Sequence, residues 1–188
     1  MSESALPLVA QPLNAAAFAP FGHVLQVPEA GAAATPRTIN GGNALRYDLL
    51  PHVPLTAEGG VPILAIFRAQ ARSFPLPVTE MERHVLGSQA FVPLGTQRFV
   101  VVVAAADSAC TAQDLHAFVT DGRQGIVLAP GTWHHALLAV EGGDFVVLER
   151  RGPAVDCDVR TVPHAPVVQW SAQALPGAVL HRSGTQTA

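Results

Sequence analysis

The chain has 188 residues, a length suited to one domain with a sizeable core, and its 49% apolar and 13% charged residues argue against extensive disorder. A formal net charge of -3 and a pI near 6.2 exclude the basic footprint of nucleic-acid-binding proteins, and no polybasic stretch is present to bind an anionic membrane. All eleven basic residues are arginines, so the missing lysine excludes a lysine Schiff base and lysine-bound pyridoxal phosphate.

Helix signals are few and short. Asn14 can cap a helix that ends at Phe18. Thr111 and Asp114 form a capping-box pattern, which predicts a second short helix through Val119. Helix is therefore expected to be a minor component.

Strand signals recur along the whole chain, as β-branched and aromatic runs between Gly- and Pro-containing turns. The apolar run after Pro62 predicts a buried strand that ends at Arg68. Glu141-Gly142-Gly143 predicts a hairpin turn between its flanking strands. The strands are predicted over residues 22–27, 44–50, 63–68, 89–94, 99–105, 124–128, 133–140, 144–150 and 155–159.

These elements predict a single domain over residues 1–188, with an extended lead-in at 1–13 and a peripheral C-terminal arm at 163–188. Disorder is predicted from about Arg182. Many short strands, little helix and no internal repeat predict an all-β sandwich or small barrel.

The two cysteines, Cys110 and Cys157, are too few for a disulfide framework and form no CxxC pair. They predict reduced thiols, as in a cytoplasmic protein. No arginine precedes the first apolar segment as in a signal peptide. The longest apolar run, Phe99 to Ala106, is far shorter than the roughly 20 residues that span a membrane. We therefore expect a cytoplasmic protein without a membrane partner.

The first cluster of chemically capable side chains lies in MERHVLGSQAFVPL, residues 81–94. Because alternate side chains of a strand point the same way, Glu82 and His84 are expected to face one interior. Gln89 begins the next strand and can supply an oxygen. Arg83 alternates away, which favours a structural or interface role.

The second cluster is PGTWHH, residues 130–135. His134 can face the first cluster, whereas His135 is expected on the opposite face. The set Glu82, His84, Gln89 and His134 would suit Zn, Ni, Mn or Fe. The alternative is histidines that are hydrogen-bonded within the core. The remaining histidines stand alone and are assigned no role: His23, His52, His116, His164 and His181.

The two clusters resemble the two motifs of the cupin superfamily, HxH followed by Glu, and G-x-x-H. Here Glu82-x-His84 and Gln89 stand at the first motif, and Gly131 to His134 matches the second. The resemblance implies a double-stranded β-helix or jelly-roll barrel. Two of the four ligand positions differ in type from the cupin pattern.

The run from about residue 12 to 158 also resembles the ureidoglycolate lyase family. That resemblance implies cleavage of ureidoglycolate to glyoxylate and urea in allantoin breakdown, by a homodimer. It further implies catalysis by His84, His134 and Glu82, with one divalent metal (Ni, Mn or Zn) and no nucleotide. The matching segments are PLNAAAFAPFGHVL, NGGNALRYDL, IFRAQARSFPLPVTEMERHVLGSQAFVPL, FVVVVA, LHAFVTDGRQGI, GTWHHALLAV and DFVVLERRGPAVDCD.

Ureidoglycolate carries a hydroxyl, a carboxylate and a urea nitrogen on one carbon. Arg68 and Arg46 are candidates to bind the carboxylate, and Ser88 and Gln89 to hydrogen-bond the ureido group. Around Ala129 and Ala136 this chain departs from the residues usual in the family, which leaves two alternative functions open. One is another metal-dependent cupin enzyme acting on a small hydroxy or keto acid, and the other is a non-catalytic carboxylate-binding cupin.

Overall fold

The computed structural model describes residues 6–28 and 35–172, which form β-strands, one short α-helix and three 3₁₀ turns. The helix α1 spans Ala15–Phe18, and the 3₁₀ turns span Asn40–Gly42, Ala57–Gly59 and Ala112–Asp114. The strands are β1 Pro7–Val9, β2 Gln11–Pro12, β3 Gly22–Leu25, β4 Arg37–Ile39, β5 Ala44–Arg46, β6 Val61–Ala69, β7 Leu76–Pro77, β8 Glu80–Arg83, β9 Gln89–Pro93, β10 Phe99–Ala104, β11 His116–Val119, β12 Gly125–Leu128, β13 Trp133–His134, β14 Leu138–Ala139, β15 Gly143–Arg151, β16 Asp158–Thr161 and β17 Val167–Gln169.

Two sheets make the body of the fold. The five-stranded sheet has the order β3-β12-β9-β15-β6, and the seven-stranded sheet has the order β16-β8-β13-β10-β11-β2, with β14 also paired to β10. Side chains of both sheets, including Phe91, Phe99 and Phe145, bury one shared core. The predicted all-β, jelly-roll-type fold with minor helix is confirmed. The described strands are not hydrogen-bonded into a closed barrel.

A third sheet, of order β1-β17-β7, covers the outer side of the seven-stranded sheet. All six residues of β10 are buried, because Phe99, Val101 and Val103 face one core while Val100 and Val102 face the other. The C-terminal segment joins this layer through β17, which pairs in parallel with β1. The disorder predicted from about residue 182 lies outside the described residues.

The short helix at Asn14 is confirmed. The Asn14 side-chain oxygen accepts a hydrogen bond from the Ala17 N–H at 2.9 Å, and Phe18 is fully buried. The predicted second helix is wrong beyond one 3₁₀ turn. The capping box of Thr111 and Asp114 forms, but the chain then enters β11, because pairing with β10 outweighs a weak local helix signal.

Two strand predictions are corrected by the topology. The strand after Pro62 forms, but it is not buried: β6 is an edge strand, with Leu64 72% and Ile66 56% exposed. The hairpin predicted at Glu141-Gly142-Gly143 is absent, because β14 pairs with β10 whereas β15 pairs with β6 and β9. This segment instead carries the chain from one sheet to the other. No described helix has the length and apolar character needed to cross a membrane.

Candidate functional site

Strand pairing brings the two predicted clusters together. β13 pairs with β8 so that His134 lies directly opposite Glu82, and His134 Nε2 is 3.5 Å from Glu82 Oε1. His84 follows the end of β8, and its ring centroid is 5.4 Å from that of His134. One ligand atom from each of Glu82, His84 and His134 lies within 4.8 Å of the others. We call these three residues the triad.

Both triad histidines are oriented by backbone carbonyls. His84 Nδ1 lies within hydrogen-bond distance of the Asp156 carbonyl, and His134 Nδ1 is 3.0 Å from the Thr132 carbonyl. Because a carbonyl oxygen can only accept, each Nδ1 carries a proton, and the neutral ring has its lone pair on Nε2. Both Nε2 atoms are buried, without a hydrogen-bond partner in the described chain. The triad therefore presents two imidazole lone pairs beside one carboxylate.

This arrangement requires positive charge between its members. A neutral Nε2 and a carboxylate oxygen 3.5 Å apart direct electron pairs at each other, which is favourable only with a proton or a cation between them. When its Nε2 carries a proton, His134 can donate to Glu82 across this distance, and that interaction is the largest cause that lowers the pKa of the Glu82 carboxyl below 4.5, while burial partly opposes it. Glu82 is thus held as a carboxylate, able to bind a proton-bearing imidazole or a metal ion.

Gln89 is fixed by a neighbouring strand. It lies opposite Glu149 of β15, and its Nε2 donates to Glu149 Oε2 at 3.0 Å. The amide is thereby oriented, and its Oε1 is buried without a partner among the described residues. Gln89 and Glu82 both line a cleft of about 1010 Å³, whereas His84 and His134 do not.

The other predicted substrate-binding residues lie in different environments. Arg68 lines the cleft, but its Nε and Nη2 donate to the Asp144 carboxylate at 2.8 and 3.0 Å. Arg46 forms an exposed ion pair with Asp48 and does not line the cleft. Ser88 is buried outside the cleft lining. Of these four candidates, the structure brings only Arg68 and Gln89 to the cleft.

Two ionisable residues that line the cleft, His135 and Arg72, were not predicted to do so from the sequence. His134 was expected to line the cavity and His135 to face away from it, whereas the cleft is lined by His135 and not by His134. The charge of His135 is among the causes that lower the pKa of Glu82. Arg72 lies in the loop after β6, where no sequence motif marks it as functional. It was included only as part of a longer segment that resembles the family.

A buried support for the site was also missed. The Asp156 carboxylate accepts the N–H groups of Val85 and Leu86 at 2.8 and 2.9 Å, and so holds the segment that follows His84. The Arg150 side chain is 3% exposed, and its Nη1 lies 4.0 Å from Asp156. Only long-range folding joins these residues, because 72 positions separate His84 from Asp156.

Arg83 has the structural environment expected from its alternation. It forms an ion pair with Asp158 at 2.9 Å, and its guanidinium lies 4.5 Å from the Trp133 ring centroid. The Arg160 guanidinium lies over the same ring at 4.6 Å. Arg83 therefore anchors β8 to its neighbouring strands on the side away from the triad.

Comparison with known proteins places the chain among lyases of one type. The profile of a family described as ureidoglycolate lyase matches residues 5–169. A Burkholderia mallei protein named ureidoglycolate lyase is 44% identical over 156 residues, covering 82% of this chain and 89% of that protein. A Rhizobium meliloti protein named ureidoglycolate lyase 1 is 44% identical over 144 residues, covering 76% and 82%. An Azotobacter vinelandii ureidoglycolate lyase is 40% identical over 149 residues, covering 79% and 87%.

Proposed function

Because this chain belongs to the ureidoglycolate lyase family, we propose that it cleaves ureidoglycolate to glyoxylate and urea. The structural observation that carries the proposal is the triad, with two buried imidazole Nε2 atoms beside one carboxylate. The family match favours this lyase over another cupin enzyme on a hydroxy or keto acid, and over a non-catalytic carboxylate-binding protein.

The proposed reaction moves one proton from oxygen to nitrogen. The hydroxyl of ureidoglycolate loses its proton, the O–H electron pair forms the C=O bond of glyoxylate, and the C–N bond to urea breaks. The departing urea nitrogen takes up one proton, so the reaction needs no net acid or base. A group that accepts and then returns a proton near neutral pH suits this exchange, and imidazole is the natural choice.

We assign the acid–base role to the triad as a unit. The hydroxyl proton passes through the carboxylate of Glu82, the triad member that lines the cleft, to an imidazole Nε2 of His84 or His134, because carbonyl contacts keep both Nδ1 atoms protonated. The Glu82 carboxylate stabilises the imidazolium that results. The same imidazolium then returns the proton through Glu82 to the leaving nitrogen. Gln89 lines the cleft, and its Oε1, which has no partner among the described residues, is the candidate acceptor for an N–H of the ureido group.

The donor set also fits one divalent metal ion. Glu82, His84 and His134 would hold it through one carboxylate and two Nε2 lone pairs, a mixed set compatible with Ni, Mn or Zn. The amide oxygen of Gln89 is the fourth ligand expected from the sequence. When bound, such an ion supplies Lewis acidity that lowers the pKa of a hydroxyl group and attracts a carboxylate. Metal content by mass spectrometry tests this part, with native metal in the purified protein expected to be lost in a His134→Gln variant.

The activity is tested by following glyoxylate release from ureidoglycolate, with and without added Ni, Mn or Zn. His84→Gln and His134→Gln are each expected to lower kcat about 10²- to 10⁴-fold, the usual contribution of a positioned acid–base group. His52→Gln is the matched control, because His52 is exposed and does not line the cleft. No glyoxylate under any metal condition would contradict the function, and full activity in both triad variants would contradict the site.

The assembly and location are proposed on narrower grounds. The exposed apolar side chains of Leu64 and Ile66, which share one face of the edge strand β6, support a homodimer. Light scattering is expected to give twice the chain mass, and Leu64→Glu is expected to shift it to the monomer. An unchanged mass would exclude β6 as the interface.

The free thiols of Cys110 and Cys157 support a cytoplasmic location, because oxidising compartments favour paired cysteines.

A further inference from the structure

The cleft offers a substrate carboxylate two arginines, Arg68 and Arg72. Sequence reasoning selected Arg68, because it lies within a strand. The two side chains differ in how their charge is balanced, and this difference decides between them.

Arg68 is already neutralised within the chain. Its guanidinium donates two hydrogen bonds to Asp144, and this pairing lowers the pKa of the Asp144 carboxyl. A second carboxylate at Arg68 would have to displace Asp144 or share its donors, with the negative charge of Asp144 opposing its approach. Arg68 is therefore a poor anion receptor while this pair is intact.

Arg72 is in the opposite situation. It lines the same cleft, and within the part of the chain that the structure describes no hydrogen bond or ion pair engages its side chain. Its backbone is nevertheless fixed, because the Arg72 N–H donates to the Ala139 carbonyl at 2.9 Å. Two residues later, Phe74 packs edge-on against Trp170, with ring centroids 6.4 Å apart. The loop thus presents an uncompensated guanidinium at the wall of the cleft.

The charges of the cleft set an orientation for an anion. Glu82 and Arg72 line the same cleft, and a substrate carboxylate is attracted by the guanidinium of Arg72 and disfavoured beside the acidic side chain of Glu82. A substrate with one carboxylate and one neutral polar arm would place the carboxylate at Arg72 and the neutral arm toward Gln89.

We infer that Arg72, rather than Arg68, binds the substrate carboxylate and selects small 2-substituted carboxylic acids over their uncharged analogues. This inference rests on the proposed function for the identity of the substrate. The predicted contact itself, a guanidinium on a carboxylate, is independent of the reaction.

The test compares Arg72→Gln, Arg68→Gln and Arg123→Gln, which carry the same change of charge. Arg123 is exposed and does not line the cleft, so its variant is the matched control. Arg72→Gln is expected to raise KM for ureidoglycolate about 10- to 150-fold with kcat within about threefold, as for a lost charge-assisted hydrogen bond that contributes equally to substrate and transition state. A larger KM increase in Arg68→Gln than in Arg72→Gln would overturn the inference.

A binding experiment separates this inference from the activity. Oxamate and its uncharged counterpart oxamide are titrated by calorimetry into each variant. The wild type and Arg123→Gln are expected to prefer oxamate at least tenfold, and Arg72→Gln is expected to lose that preference. Lyase activity with an unchanged preference in Arg72→Gln would overturn the inference but leave the function intact. A wild type that neither releases glyoxylate nor prefers oxamate would overturn both.

Discussion

Replacement of Arg150 by Met tests whether the buried support beneath the site stabilises the folded domain. The Arg150 side chain is 3% exposed, and its Nε donates to the Ala57 carbonyl at 2.9 Å. Its Nη1 lies 4.0 Å from the Asp156 carboxylate, which holds the segment after His84. Methionine has a similar length and a flexible side chain, so the variant removes charge and hydrogen bonds more than volume.

The expected loss of stability is about 3–5 kcal/mol, the usual result of removing one partner from a buried charge pair and leaving the other uncompensated. That is a large fraction of the roughly 5–15 kcal/mol by which a domain is stable. With a urea m-value of about 2 kcal/mol/M, the unfolding midpoint falls by about 1.5–2.5 M.

The assay is urea unfolding followed by tryptophan fluorescence and by circular dichroism. Arg68→Gln is the control, because its ion pair with Asp144 is on the surface and its side chain is 85% exposed. Such a pair contributes less than about 1 kcal/mol. A loss in Arg150→Met no larger than in this control would refute the assignment of Arg150 as a buried support.

Three further predictions follow from local geometry. Gly87→Ala places a Cβ 2.5 Å from the Arg150 Cβ, so the free energy of unfolding is expected to fall by about 1–3 kcal/mol, and an unchanged urea midpoint would contradict this contact. Glu149→Met removes the acceptor that orients the Gln89 amide, so calorimetry is expected to show about 10- to 100-fold weaker Mn²⁺ binding. An unchanged affinity for Mn²⁺ would contradict an orienting role for Glu149. The Asp114 carboxyl has a pKa below its usual 3.8, mainly because it accepts a backbone hydrogen bond in the capping box. The stabilisation that the Asp114 carboxylate contributes is therefore present above pH 3.8 and is lost as the pH falls through the lowered pKa. The difference in urea midpoint between wild type and Asp114→Asn is therefore expected to be larger at pH 6 than at pH 3.

The sequence was sufficient where structure depends on near neighbours. The run FVVVVA predicts β10 because β-branched residues favour strands, and Asn14 predicts α1 because capping is a local contact. The run ILAIFRA gave the correct strand but the wrong burial. An apolar composition does not state whether a strand lies at the centre or the edge of a sheet, and that depends on partners distant in the chain.

The same distinction applies to the candidate site. Because Glu82 and His84 are two positions apart, the sequence predicted that their side chains lie on one face, and the structure brings both close to His134. The parts that long-range contacts decide were not predictable. Glu149, which orients Gln89, is 60 positions away, and Asp144, which neutralises Arg68, is 76 positions away. No local sequence pattern indicates that Arg68 is paired with a carboxylate while Arg72 is not.

The burial of β10 on both faces has a consequence for the motions of the site. Amide groups in the most deeply packed strands exchange hydrogen with solvent only when the whole domain opens, whereas edge strands open locally at lower free energy. β10 pairs directly with β13 through Val103 and His134, so one triad histidine is joined to the element expected to exchange most slowly. Arg72 lies in the loop that follows the exposed edge strand β6. The proposed proton-transfer residue His134 and the proposed carboxylate-binding residue Arg72 therefore lie in regions of different local stability, and hydrogen exchange is expected to show slow amides in β10 and fast ones in the Arg72 loop.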